Sequence, residues 1–287
     1  MKLCTFEVKT PCGPLTRLGA LVEGRILDLN LGYATYLHRV KKDEACYELS
    51  QIRLPPSMLE LFKDWELRKD FVEITLDFVR EELSKGKEPV GPMGERLLYP
   101  EGEVKLKAPI PRPTSIRDFL SFEKHAESKR GPKPRDWYEI PVYYKGNPDS
   151  VMGHEDEIPW PSYTELLDYE LEYGIYILRK GKNIPVELAS EYIAGFTIFN
   201  DVSARDIPEG FYLGPAKQKD FCNIMGPYLV TPDELDPYNL RMVSRINGET
   251  WSDGNSRTMY WKWEELVHFA SLEETLMPGD LLGSGTI

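Results

Sequence analysis

Asp168-Tyr169-Glu170-Leu171-Glu172-Tyr173-Gly174-Ile175-Tyr176-Ile177-Leu178 opens with strict alternation of acidic and apolar side chains. Successive residues of an extended chain face opposite sides. Tyr169, Leu171, Tyr173, Ile175 and Ile177 therefore share one face, and Asp168, Glu170 and Glu172 share the other. The spacing predicts a strand packed through its apolar face. It leaves open whether the acidic face meets water.

Downstream, Gly195-Phe196-Thr197-Ile198-Phe199-Asn200-Asp201 reads as a second strand ending in polar residues. Gly226 to Thr231 and Leu240 to Ile246 read as further strands, the latter turning at Asn247-Gly248. Helices are few here: Ile184 to Tyr192, and Trp263 to Ala270 ahead of the turn Met277-Pro278-Gly279-Asp280. Upstream, prolines at 89, 92, 100, 109, 111 and 113 make regular structure improbable from Gly86 to Pro113. The domain boundary is placed near residue 105. Before it, Leu18–Val22 and Arg25–Leu29 flank Glu23-Gly24 as a hairpin. Two helices follow, Ser57 to Trp65 and Glu66 to Lys85, the second with Phe71, Ile74 and Phe78 on one stripe. The expected fold is mainly β with α+β elements: a small N-terminal α+β domain (1–105) and a β-rich domain (106–287).

A chain of 287 residues buries a sizeable core without staples. Its 41% hydrophobic and 29% charged content excludes a disordered tail, and no run approaches the length of a membrane span. The start carries Glu7 and lacks the apolar stretch of a signal peptide, so a cytoplasmic protein is expected. Net charge is −12, which repels phosphate backbones and disfavours nucleic acid. The basic run Lys129–Arg135 is short, proline-broken, and reads as a solvated loop. Cys4, Cys12, Cys46 and Cys222 form no C-x-x-C pair, against a zinc ribbon or disulfide framework. With histidines only at 38, 125, 154 and 268, a metal must be bound mainly by oxygen, which selects a hard ion.

Glu170 and Glu172 lie on one strand face with Cβ atoms about 7 Å apart. Two like charges there repel unless a cation sits between them. Alone, such a pair is the ordinary make-up of a solvated strand face. Asp201, alone, would be a turn former or helix cap. Three carboxylates from two strand regions can supply an open oxygen site for a hard metal. Asp118 and His125, seven residues apart in Arg117-Asp118-Phe119-Leu120-Ser121-Phe122-Glu123-Lys124-His125, fall on one side if that segment is helical. His125 is then the natural general base near neutral pH, with a surface histidine as the plain alternative. Two segments, Pro141–Pro148 with Tyr144 and Lys145, and Leu213–Phe221 with Lys217 and Lys219, have the make-up of substrate-holding or ordinary surface loops.

The strings DYELE, FNDVSARDI, LGPAKQKDF and PGDLLGSGTI, in that order and with RDF-x5-H upstream, resemble the catalytic domain of the fumarylacetoacetate hydrolase family over about residues 110–287. The resemblance implies a rolled mixed β-sheet for this domain. It implies metal ligands at Asp118, Glu170, Glu172 and Asp201, a catalytic histidine at His125, and Lys219 as a catalytic and substrate-binding lysine. Tyr144, Arg205 and Thr286 are the implied further substrate contacts. It departs from the fumarylacetoacetate-cleaving members at Pro208, where they carry a substrate-contacting glutamine. The acid that pairs with the histidine in some members would lie past Ile287.

The implied activity is hydrolytic cleavage of a carbon–carbon bond in a β-diketo or acylpyruvate-type acid through a metal-bound enolate. Mg2+ is the expected ion, with Ca2+ or Mn2+ as alternatives. A decarboxylase, a hydratase or dehydratase, or an isomerase on a 2-keto acid, 2-keto-3-deoxy sugar acids included, is the alternative at the same site. A catalytically idle metabolite-binding protein is the alternative of another class. The expected partners are a small keto acid and a second copy in a homodimer. The homodimer is implied by the family and by apolar density at Tyr169–Ile177 and Met259–Trp263. Residues 118–125 are expected to act as a lid whose aromatics dock when substrate binds.

Overall fold

The computed structural model describes residues 1–130, 135–207 and 215–287, with the side chains of 128–130 and 135 outside that description. Pro208, Leu213, Gly214 and most of the basic run thus lie outside the described residues. The chain opens as a meander of β1 (Lys2–Thr10), β2 (Gly13–Val22) and β3 (Arg25–Asp28). Glu23 and Gly24, at φ 48° and 74°, form the expected two-residue hairpin turn. Strand β1 was not legible in advance, because Leu3, Cys4, Thr5 and Phe6 are buried consecutively and no alternation survives when both faces are covered.

Helices α1 (Leu29–Tyr36), α2 (Cys46–Arg53), α3 (Met58–Lys63) and α4 (Trp65–Ser84) follow. The buried Arg17 guanidinium bonds both carboxylate oxygens of Asp28 at 2.6 and 2.9 Å, while Asp28 caps α1 by accepting from the Leu31 amide. Helix α4 turns Val72, Thr75, Leu76, Phe78 and Val79 inward, leaving Phe71 and Ile74 on the flank of the expected stripe. The proline-rich stretch contributes two very short strands, β4 (Leu98–Pro100) and β5 (Lys105–Leu106), which pair with β3 and β1.

Then come β6 (Ile116–Phe119), α5 (Glu123–Arg130), β7 (Tyr143–Gly146), β8 (Val151–Met152), β9 (Leu167–Ile177) and β10 (Ile193–Ala204). After these lie α6 (Ala216–Lys219), β11 (Asn223–Met225), β12 (Leu229–Val230), the hairpin β13 (Arg241–Ile246) and β14 (Glu249–Asn255), α7 (Trp263–Ser271) and β15 (Leu281–Gly283). Three expectations are corrected. The helix at 184–192 is a 3₁₀ segment, Val186–Tyr192. Strand β10 runs three residues past Asp201 instead of ending there. The segment from Arg117 to His125 is not one helix: Asp118 lies on β6 and His125 on α5.

Among the described residues, thirteen strands form one mixed sheet along the path β4-β3-β2-β1-β12-β10-β9-β15-β6-β7, with β5, β8 and β11 as branches. Strand β15 pairs parallel to β6 and antiparallel to β9. This is the sheet-dominated α+β fold expected. One core cluster packs α1, α3 and α4 against Tyr176, Phe199 and Leu281. A second packs α7, through Trp263, Leu266 and Val267, against Tyr173, Ile175 and Phe196. Residues 170–177 of β9 are therefore buried on both faces, so Glu170 and Glu172 do not meet bulk water, while Asp168 ahead of them stays exposed. Among the described residues no helix is long and apolar enough to cross a membrane.

Candidate metal centre

Register builds the site. Strands β9 and β10 place Glu170 directly opposite Asp201, a position where side chains approach to about 5 Å and like charges repel. Glu172 follows two residues along β9. On the other side of β9, β15 sets Gly283 against both Gly174 and Asp118. Asp118 in turn faces Tyr144 on β7. Four carboxylates from three strands thereby offer oxygens within 4.8 Å of one another, all buried.

Two backbone features shape this cluster. The Gly285 amide donates to Glu172 Oε2 at 3.0 Å and to Asp118 Oδ1 at 3.3 Å, fixing how both carboxyls point. Gly285 stands at φ +79° with the Phe119 carbonyl 2.3 Å from where a Cβ would lie, so no other residue fits. At Gly283, an added Cβ would stand 2.4 Å from Asp118 Oδ1 and 2.7 Å from the Phe199 ring. Gly283→Ala should therefore displace the Asp118 carboxylate and weaken divalent-metal affinity at least about tenfold, with an overpacking cost of about 1–3 kcal/mol. Metal titration of the folded variant checks this. Unchanged affinity would show that Asp118 is not a ligand.

Concentrated buried charge shifts every titration here. Burial, then the charge of Asp201, pushes Asp118 up to about 8. Burial and the charge of Asp118 hold Glu172 well above the carboxylate range. Burial raises Asp201 against the pull of Lys219. For Lys219 burial opposes the charge, but Asp201 and Glu170 outweigh it and raise the ammonium. Asp201 Oδ1 is buried and accepts no hydrogen bond. An orphaned carboxylate oxygen within an all-oxygen, four-acid set fits a hard divalent cation and leaves open positions for substrate.

The remaining residues singled out in the sequence converge on the same place. Lys219, buried at the end of α6, contacts Glu170 Oε2 at 2.6 Å and also Asp201 Oδ2. The Tyr144 hydroxyl donates to Asp201 Oδ2 at 2.7 Å, and burial beside Asp201 holds its phenol well above 10. Thr286 Oγ1 stands 3.5 Å from Glu172 Oε1. Arg205 reaches Glu170 Oε1 at 2.9 Å and Asp168 Oδ2 at 2.8 Å. His125 Nε2, its side chain 12% exposed, lies 3.7 Å from Glu170 Oε1. Three cationic or potentially cationic groups thus surround one carboxylate of the cluster.

One expectation is overturned. Phe119 and Phe122, expected to dock with substrate, are already 3% and 2% exposed within the core. Any movement that brings His125 to a substrate belongs to α5 and not to these aromatics. Residues missed in the sequence are Gly283 and Gly285, which act through backbone and empty space, and Asp168, which braces Arg205. The glycines stand inside the quoted GSGT string, where a G-x-G spacing signals a close backbone approach.

A profile of the family described as Fumarylacetoacetate (FAA) hydrolase C-terminal matches residues 114–287. The Bos taurus protein named "Oxaloacetate tautomerase FAHD2A, mitochondrial" is 30% identical over 293 aligned residues, covering 100% of this chain and 81% of that protein. The crystal structure of maleylpyruvate hydrolase from Sphingobium sp. SYK-6, in complex with manganese (II) ion and pyruvate, superposes with a TM-score of 0.65 at 20% identity, over 100% of this chain and 88% of that one. The 5-carboxymethyl-2-hydroxymuconate delta-isomerase from Mycobacterium smegmatis gives a TM-score of 0.65 at 22% identity with the same coverage of both chains. At such identities the two structures speak for the fold alone.

Proposed function

Since the chain belongs to the fumarylacetoacetate hydrolase family, we propose that it is a divalent-cation-dependent enzyme acting on a small 2-keto acid with a second carbonyl in the β position. Keto–enol exchange of an oxaloacetate-type acid is the reaction we place first. The observation that carries this is the convergence of His125, Arg205 and Lys219 on Glu170 at the edge of a buried four-carboxylate cluster. Asp118, Glu170, Glu172 and Asp201 would hold the ion, with Mg2+ or Mn2+ the favoured candidates. When bound, it supplies polarisation of two carbonyl oxygens and so acidifies the carbon between them.

The chain's own groups do the rest. Arg205, now shared between Asp168 and Glu170, presents a guanidinium to a substrate carboxylate. Lys219 compensates negative charge as it develops on the enolised acid. His125 moves a proton to or from the carbon between the carbonyls. Carbon–carbon hydrolysis of an acylpyruvate, placed first on sequence alone, is the second reading. It uses the same residues, with His125 activating water instead. The full-length likeness to a protein named for oxaloacetate tautomerisation supports the present order.

Turnover decides between them. Enol-oxaloacetate and acetylpyruvate are offered to the Mg2+- or Mn2+-loaded protein, with and without EDTA. Accelerated loss of enol absorbance abolished by EDTA supports tautomerisation, and cleavage to pyruvate and acetate supports hydrolysis. No EDTA-sensitive turnover of either would sink both readings and turn the assay to 2-keto-3-deoxy sugar acids, where inactivity as well would favour the idle binding protein.

We also propose a symmetric homodimer. The apolar density at Tyr169–Ile177 and Met259–Trp263 that suggested it is spent on the chain's own core, where Tyr173, Ile175, Met259 and Trp263 are buried. A different face carries the proposal. A cavity of about 780 Å³ between β9–β10 and the β13–β14 hairpin is lined by Phe196, Ile198, Met242 and Ile158, and Ile198 is 56% exposed at its mouth. Exposed apolar surface around such a cleft suits a self-complementary contact. Light scattering should give twice the 33.1 kDa chain mass, and Ile198→Glu should shift it toward the monomer. A monomer for the wild type at micromolar concentration would end the proposal.

A further inference from the structure

The segment that carries His125 leaves the sheet after β6 and returns before β7, and both of its ends are held by one distant stretch, Met259–Trp261. At the outgoing end, Phe122 is buried and forms an isolated bridge with Met259, while the Tyr260 amide donates to the Ser121 carbonyl at 2.9 Å. At the returning end, Trp137 is buried, and its indole N–H donates to the Leu120 carbonyl at 2.9 Å. The Trp261 indole N–H then donates to the Trp137 carbonyl at 3.1 Å. The Tyr260 ring completes the join, with its centroid 5.0 Å from that of Trp137. The Tyr138 hydroxyl bonds Glu123 in the first turn of α5.

His125 is only three residues beyond Phe122, on the first turn of the eight-residue helix α5. A helix this short is not held by its own propensity and takes its direction from what its ends are joined to. Trp137, through the Leu120 carbonyl ahead of α5, and Tyr138, through Glu123, add a second attachment to the one at Phe122. We propose that Trp137 and Trp261 are positioning residues that lock α5, and with it His125, over the carboxylate cluster. Their effect passes through the direction of one imidazole. This rests on the reading that His125 transfers a proton.

The test is a double-mutant cycle. Trp137→Phe and Trp261→Phe remove a single indole N–H each and keep a ring. Each is made in the wild type and in His125→Ala, and assayed for enol-oxaloacetate and acetylpyruvate turnover with Mn2+ loaded. Each single variant should lower kcat by about ten- to a hundredfold, with KM and Mn2+ affinity unchanged within about twofold. In the His125→Ala background the same substitutions should cost nothing further. A merely structural role would lower kcat equally in both backgrounds, and that result overturns the proposal. A normal kcat in both tryptophan variants also overturns it, while leaving the role of His125 intact. Wild-type turnover in His125→Ala would instead sink the proton-transfer reading, and the latch with it.

A second readout needs no turnover. Diethyl pyrocarbonate labelling, mapped by mass spectrometry, should accelerate several-fold at His125 in Trp137→Phe and stay unchanged at the exposed His154. Equal labelling of His125 in variant and wild type would show that the latch does not hold it. Should Trp137→Phe not fold, Trp261→Phe carries both measurements, since it leaves the Trp137–Leu120 bond in place.

Discussion

Glu172→Gln should abolish metal-dependent turnover and, in EDTA at pH 8, should melt at a higher temperature than the wild type. Both halves follow from one fact: Glu172 is buried beside the like-charged Asp118, and its compensating partners are the Gly285 amide and the Thr286 hydroxyl. A buried acid held above its ordinary titration range costs folding about 1.4 kcal/mol per pK unit once the pH exceeds the unfolded value. The sign runs against the usual carboxylate case. Without metal the folded chain holds protons on Glu172 and on Asp118, raised to about 8, that the unfolded chain has released near pH 4. Stability of the metal-free protein therefore falls as pH rises from about 5 to 8, and the fall levels off above the folded value. Gln keeps the shape and hydrogen bonds and removes the penalty. Differential scanning calorimetry in EDTA at pH 5 and 8 measures both slopes. A wild type that gains stability across this window, or a Gln variant that melts lower at pH 8, contradicts the account. Glu170→Ala should behave differently, losing turnover and stability together, because it takes from Lys219 and Arg205 one carboxylate partner each and leaves them only Asp201 and Asp168.

His125→Ala should lower turnover by about a hundred- to ten-thousandfold, the ordinary contribution of a general acid or base. Metal affinity should stay within a fewfold of wild type, because the imidazole stands 3.7 Å from Glu170 Oε1, which already contacts Arg205 while Lys219 holds Oε2, and is not needed as a ligand. Asp118→Ala should weaken both rate and metal. Steady-state kinetics alongside Mn2+ titration separates the two patterns. A His125→Ala variant with normal turnover, or one stripped of its metal, would remove the histidine from its proposed role.

What the sequence disclosed follows from how each residue acts. Glu170 and Glu172 were legible because a half-alternating strand shows its period directly, and Asp201 because an acid after an apolar run is conspicuous. That the three belong together came from the ordered motifs and not from spacing, since strand pairing across β9 and β10 leaves no local signal. Burial of the acidic face was not legible either: it depends on the N-terminal helices packing around Tyr176 on that face, and on Tyr144, Lys219 and Gly285 arriving from distant parts of the chain. The Asp118–His125 segment misled because a seven-residue spacing fits two helical turns, whereas β15 recruits Ile116–Phe119 into the sheet and leaves the helix to begin at Glu123. Short strands such as β5 and β12 exist only through their partners. Gly285 contributes an amide that every residue but proline carries, while its φ of +79° and the Phe119 carbonyl beside it admit only glycine, a constraint that no local pattern in the sequence announces.

The central claim is that Asp118, Glu170, Glu172 and Asp201 together hold one divalent cation. Equilibrium dialysis against Mn2+, read by electron paramagnetic resonance, tests it most directly. The wild type should bind one ion per chain. The variant Glu170→Gln, Glu172→Gln, Asp201→Asn, shown folded by circular dichroism, should bind none. A wild type that binds no Mn2+ at millimolar concentration, or a folded triple variant that binds it as the wild type does, would contradict the account.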